Sequence, residues 1–224
     1  GLLTGNYFKA AEYALNIIYS NNFKQLYYGI NIKPILSVFE SYQSAGIASD
    51  FGITLVSKNK NTSIALVAKN FGTQLSTYYN EGEKESLPFD IQAGISTRLQ
   101  HAPVILSATM QHLNHWNLAN PISNTNEDGE INIFERDENF GIQFMRHMIL
   151  GIEVLPSNNF ILRAGYNYQR RQELKYEEKL STVGLSLGFG LKIKRFNFDF
   201  ATTRYHLAGA SNLFSVGINL NNDF

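Results

Sequence analysis

The chain has no cysteine in 224 residues, which excludes a disulfide framework and a thiolate metal site. It has no net charge either, since 19 Lys and Arg balance 19 Asp and Glu. That balance argues against a nucleic-acid surface, which needs a basic excess. No apolar run approaches the roughly 20 residues that a membrane-spanning helix requires. With a mean hydropathy of −0.18, the chain would pass as soluble on helix criteria alone. Strands that cross a membrane escape that test, because half of their residues are polar. The sequence opens at Gly1 on neither Met nor a signal-peptide pattern. A secreted barrel needs one, so its removal by processing or truncation is expected. No break in composition marks a boundary, and a single domain over residues 1–224 is expected.

What the chain does have is aromatic residues, with 12 Tyr and 16 Phe, and a period of two. In the stretch from Ser181 to Phe224, Val183, Leu185, Leu187, Phe189, Leu191 and Ile193 alternate with Gly184, Ser186, Gly188, Gly190 and Lys192. The pattern restarts at Phe196, Phe198 and Phe200, and again at Phe214, Val216, Ile218 and Leu220. A period of two places one parity on each face of a strand. One face here is apolar and the other is small or polar, with the charges of Lys192 and Asp199 in mid-strand. A soluble sandwich would pack the apolar face on a second sheet, whereas a membrane barrel turns it to lipid and keeps Gly, Ser, Asn and charges inside. The chain ends on Phe224, in phase with the apolar face.

The same alternation predicts about eleven strands, in keeping with crossings of roughly 9–11 residues each. They centre on Tyr13–Tyr19, Leu26–Val38, Phe51–Leu55, Ile64–Ala68, Phe89–Ile95, Val104–Met110, Met148–Val154 and Phe160–Tyr168, and on the three near the C-terminus. Pro34 cannot donate to a ladder, so an irregularity is expected there. Short turns are expected at Ser20-Asn21-Asn22, Lys58–Asn61, Gln100–Pro103, Pro156–Asn159 and Lys194. Longer connections are expected at Thr77–Pro88, Trp116–Asn139 and Arg170–Leu180, with modest ones at Ser41–Gly46 and Ala208. Short turns at one end and long loops at the other suit an outer-membrane barrel, but an odd strand count does not. An open edge would leave backbone groups unpaired in lipid. An N-terminal group of strands is therefore expected to be missing from this chain.

Motifs for catalysis or metal binding are weak. Gly184-Leu185-Ser186-Leu187-Gly188 matches G-x-S-x-G, but that motif needs a strand–turn–helix elbow and here lies inside an alternating strand. His112 and His115 on a strand would point to opposite faces, and His147 and His206 stand isolated. The acidic run Asn126–Glu130 lacks the ligand spacing of a calcium loop. No catalytic residue, metal or cofactor is expected. Tyr78, Tyr79, Trp116, Asp128 and Phe134 fall in or beside the long connections. They read as interfacial girdle residues or as partner anchors, since aromatic residues are enriched at binding hot spots.

The segment Arg204-Tyr205-His206-Leu207-Ala208-Gly209-Ala210-Ser211-Asn212 resembles the C-terminus of the PorQ family of type IX secretion outer-membrane proteins. Residues Gly29 to Gly52, with Glu40-Ser41-Tyr42-Gln43-Ser44 and Ala48-Ser49-Asp50-Phe51-Gly52, are similar to a piece shared by that family and the related PorV. The resemblance implies an all-β, antiparallel, fourteen-stranded transmembrane barrel of the FadL/PorV-like type, with about three strands before Gly1. It also implies a non-enzymatic role in the outer membrane of a Gram-negative bacterium. There the barrel would anchor a surface protein resembling PorZ in a cargo attachment complex with PorU and PorV, with its outside loops as the docking surface. The alternative is a FadL-like transporter or channel for small solutes, an analogy at the level of fold alone. A soluble β-sandwich binding module is the third reading.

Overall fold

A computed structural model describes residues 9–79, 82–119, 122–125, 131–134, 138–174, 182–206 and 209–219. The chain is all-β, and twelve of its strands belong to one antiparallel sheet. It divides into two units.

The first unit comprises Gly1–Lys58 and Ile64–Ala93. It holds β1 (Ala10–Ala14), β2 (Ile17–Phe23), β3 (Leu26–Phe39), β4 (Tyr42–Val56) and nearly all of β5 (Thr62–Ser76). β1 and β2 pair with the same edge of β3, from Ala10 opposite Phe39 to Phe23 opposite Leu26, without a change of register. They are one strand interrupted at Leu15 and Asn16, opposite Pro34 and Lys33. The cause is the proline: Leu15 N still donates to Pro34 O at 3.1 Å, but Pro34 has no N–H to return. The irregularity expected at Pro34 is therefore present, as a gap in the neighbouring strand and not as a bulge. Counting β1 and β2 together turns the twelve strands of the sheet into eleven.

Two expected turns are not turns. Ser20-Asn21-Asn22 lies inside β2, with Asn21 opposite Tyr28, and the chain reverses at Lys24 and Gln25 instead. Ser41–Gly46, expected as a loop, mostly belongs to β4; the reversal takes only Glu40 and Ser41. At 14 and 15 residues, β3 and β4 are longer than the roughly 9–11 residues of a tilted crossing. In β5 the apolar parity switches from Ile64 and Leu66 to Phe71 and Leu75 around Asn70, which has φ 58°.

The second unit comprises Asn59–Ser63 and Gly94–Phe224. β6 (Asp90–Arg98) begins in the first unit, and β7 (Val104–Met110) lies wholly in the second. The order there continues through β10 (Met148–Ser157), β11 (Phe160–Asn167), β12 (Leu185–Ile193), β13 (Phe196–His206) and β14 (Gly209–Ile218). A separate hairpin pairs β8 (Ile122–Thr125) with β9 (Ile131–Phe134), inside the irregular segment expected from Trp116 to Asn139. Pro156 is not in a turn but in β10, where the register with β11 shifts between Val154 and Ser157. Among the described residues, two helices break the expected pattern. α1 (Phe140–His147) precedes β10, and α2 (Tyr168–Glu173) starts where strand β11 was expected to extend to Tyr168. β12 begins at Leu185 and not at Val183, because Gly184 takes φ 85° and a side chain there would stand 2.7 Å from Asn167 O. Phe224 lies outside the described residues.

The apolar parity packs on little. Among the described residues, Ala48 and Val183 are the buried hydrophobic ones, while Phe51, Ile53, Leu106, Leu150, Ile152, Leu187 and Phe189 are exposed. Polar contacts organise the other face. In the first unit Asp50 accepts from Lys33 Nζ at 2.6 Å, from Asn31 Nδ2 at 3.1 Å and from Asn70 N at 2.8 Å, which holds the parity switch of β5 against β4.

Candidate functional site

The chemistry-bearing side chains fall in three places, two of them at long connections. In the first unit, the chain after β5 folds back over the β3–β4 turn. Tyr78 meets Phe39 edge-on at 5.6 Å, and Tyr79 tilts against Tyr42 at 4.9 Å. Gln74 fixes this corner: its Nε2 donates to Ser44 Oγ at 2.7 Å, and its Oε1 accepts from Glu85 N at 2.7 Å. Ser44 Oγ in turn donates to Ser76 O at 2.8 Å. Tyr78 is half-buried while Tyr79 is 63% exposed, so Tyr79 presents the more accessible ring.

In the second unit, the strap after β7 is pinned to the inner side of α1. Helix α1 is capped by Asn139, whose side chain accepts from Gly141 N at 2.9 Å. Its inner side is polar. His147 is fully buried, with Nδ1 2.6 Å from Gln111 O and Nε2 3.1 Å from Trp116 O. Gln143 accepts from Leu118 N at 3.2 Å and donates to Asn117 Oδ1 at 2.9 Å. Arg146 grips Glu138 with two hydrogen bonds of 2.6 Å. Those bonds hold the Arg146 guanidinium above its ordinary value, against the opposing effect of its own burial. Trp116 stacks on His147 at 4.6 Å and on Phe140 at 5.5 Å. Gln111 also reaches α2, donating to Gln169 Oε1 at 2.8 Å.

The third place is a line of charge on the polar face of the second unit. Arg163 in β11 sits opposite Glu153 in β10, 3.9 Å from its carboxylate, and bonds Asp199 in β13 at 2.6 Å. To reach Asp199 it passes over β12, where Gly190 leaves room. A Cβ at Gly190 would lie 2.8 Å from Asp199 Oδ1 and 3.1 Å from Arg163 Nη1. The side chains of Arg163 and Asp199 stay 39% and 43% exposed.

Of the residues singled out in the sequence, Tyr78, Tyr79 and Trp116 are in these clusters. Asp128 lies outside the described residues. Phe134 ends β9, opposite Ile122. His112 and His115 are not on a strand: β7 ends at Met110, and His115 N donates to His112 O at 2.9 Å in a turn. Ser186 lies within β12 between Gly165 and Thr203, with no elbow. His147, read as isolated, is the centre of the second cluster, and Arg163, Gln143 and Phe140 join the sites without having been singled out. The signals were there in part: a mid-strand arginine on a polar parity needs an acid, and Asp199 shares that parity. Comparison with known proteins finds no matching family model and no matching curated relative.

Proposed function

We propose that this chain is the greater part of an outer-membrane β-barrel that anchors a surface protein, as the PorZ-like partner is anchored in the type IX attachment complex beside PorU and PorV. The role is non-enzymatic. One observation carries the membrane reading: a strand-dominated chain whose large apolar side chains lie exposed on one parity of its strands while the other parity carries bonded charges. In water that surface would be far beyond what a monomer tolerates; against lipid it is the expected arrangement. The anchoring reading rests on the resemblance of Arg204–Asn212 and Gly29–Gly52 to the PorQ family. Aromatic clusters at the long connections, around Tyr79 and around Trp116, support it. On this reading the edges at β1/β2 and β14 meet further strands, since unpaired backbone in hydrocarbon costs several kcal/mol per group (on the order of 2–7).

The deciding experiment is a mild-detergent pull-down of the tagged full-length protein from its native outer membrane, with partners identified by mass spectrometry. Stoichiometric recovery of a surface protein with sortase components is expected. Recovery of the barrel alone, while other complexes survive, refutes the anchor. A second reading, a FadL-like path for small solutes, is favoured by the line of charge Glu153–Arg163–Asp199 on the polar face. It would show as conductance or uptake that Arg163→Met alters.

A further inference from the structure

We propose that the outer side of α1, together with Trp116, is a lipid-contact surface seated where headgroups meet acyl chains. The inference rests on the membrane reading above and names which loop element the bilayer reaches.

A helix on a water-soluble surface turns its apolar stripe inward and its polar side out. Helix α1 does the opposite. Its buried residues are Gln143, Arg146 and His147. Its exposed large residues are Phe140, at 72% exposure, with Ile142, Phe144 and Met145. The inversion is fixed by bonds. Gln143 holds Asn117 and Leu118, Arg146 holds Glu138, and His147 faces the carbonyl oxygens of Gln111 and Trp116. Rolling the helix to hide its apolar side would strip partners from three buried polar groups, each at substantial cost. The apolar side is therefore held outward.

Two features select lipid as the occupant over a protein. First, α1 runs directly into a strand already read as lipid-facing. α1 passes without a linker from His147 into Met148, the first residue of β10, whose Leu150 and Ile152 are exposed on the apolar parity. Second, the exposed side of α1 carries no charge: Phe140, Gly141, Ile142, Phe144 and Met145 are all apolar, whereas a protein-docking patch carries a polar rim. Trp116, stacked on Phe140 at 5.5 Å, is the residue type that settles at membrane–water interfaces.

The chain contains one Trp, which makes the test direct. The full chain is reconstituted in phosphatidylcholine vesicles whose acyl chains carry bromine either near the headgroup or near the bilayer centre. Trp116 emission is expected to be blue-shifted, to lose most of its intensity to the shallow bromines and less to the deep ones, and to resist iodide. A second reporter separates this inference from the membrane reading. In Trp116→Phe with Ile152→Trp, the new ring on β10 should be quenched by the deep bromines; Leu106→Trp, opposite Ile152, serves if the first variant does not fold. If the β10 reporter is quenched by lipid while Trp116 is quenched by iodide alone, the lipid-contact role of α1 is overturned and the barrel stands. If neither ring responds to bromolipid, the membrane reading falls and this inference falls with it.

Discussion

Replacing His147 should loosen the strap after β7 far more than its sequence context suggests, and two substitutions divide the cause. The ring is fully buried, stacks on Trp116 at 4.6 Å and lies 2.6 and 3.1 Å from two main-chain carbonyls. In His147→Phe a six-membered aromatic ring can keep the stacking, and the ring N–H that faces the carbonyls goes. Leaving a buried carbonyl without that donor costs about 1–3 kcal/mol, and we expect about 2. In His147→Ala the ring also goes and a cavity is left, for which large-to-small changes cost about 3–5 kcal/mol. His115→Ala, on an exposed residue of the same strap, should stay within about 0.5 kcal/mol. Urea unfolding read by Trp116 fluorescence beside far-ultraviolet circular dichroism is the assay. Because a strap can open before the sheet does, the fluorescence transition should move to lower urea while the strand signal moves little. If His147→Phe unfolds with the parent, or if His115→Ala costs as much, the hydrogen-bonded strap is not what orders this connection.

Glu138→Gln removes the carboxylate under a nearly buried Arg146, and breaking such a pair costs about 3–5 kcal/mol, measurable in the same fluorescence transition. Since Glu138 holds Arg146 above its ordinary value, the stabilisation is complete below the unfolded-state guanidinium value and is lost only as pH rises through the still higher folded one. Titrating from about pH 6 to 9 should therefore reveal no step from this arginine; a loss of Trp116 signal that Arg146→Lys abolishes would contradict that. Gly190→Ala should push Arg163 off Asp199, yet cost under about 1 kcal/mol because the pair is half-exposed, while shifting ion selectivity if the polar face lines a path. Tyr79→Ala should cost about 1 kcal/mol through its stacking on Tyr42 and lower partner recovery in the pull-down by more than any change in folded yield.

The strands were legible wherever large apolar residues hold one parity, as in β10 and β12. β4 was read short because its apolar parity passes through Ala45 and Ser49, opposite Leu36 and Ile32, and small residues carry no periodic signal. Asn21 and Asn22 look like a turn, but their cross-strand neighbours Tyr28 and Tyr27 keep them in the ladder, and tertiary pairing overrides local preference. α2 was hidden because Tyr166 and Tyr168 continue the alternation into its first turn. α1 was hidden by its inverted polarity, since its outward residues mimic an unremarkable apolar patch. His147 seemed isolated because its partners are carbonyls 36 and 31 positions away, and a carbonyl belongs to every residue type and leaves no mark in a sequence.

Among the described residues, the near-absence of buried hydrophobic ones beyond Ala48 and Val183 has a calorimetric consequence. A globular domain gains most of its heat-capacity change on unfolding from apolar area newly wetted by water. Here, if the apolar parity sits in lipid, that area is wetted only when the chain leaves the bilayer. Heating in vesicles should give a shallow thermogram with little curvature, and release into water a steep one. The chain would behave as two different materials according to its solvent, and diluting away the detergent would be a harsher denaturant than temperature.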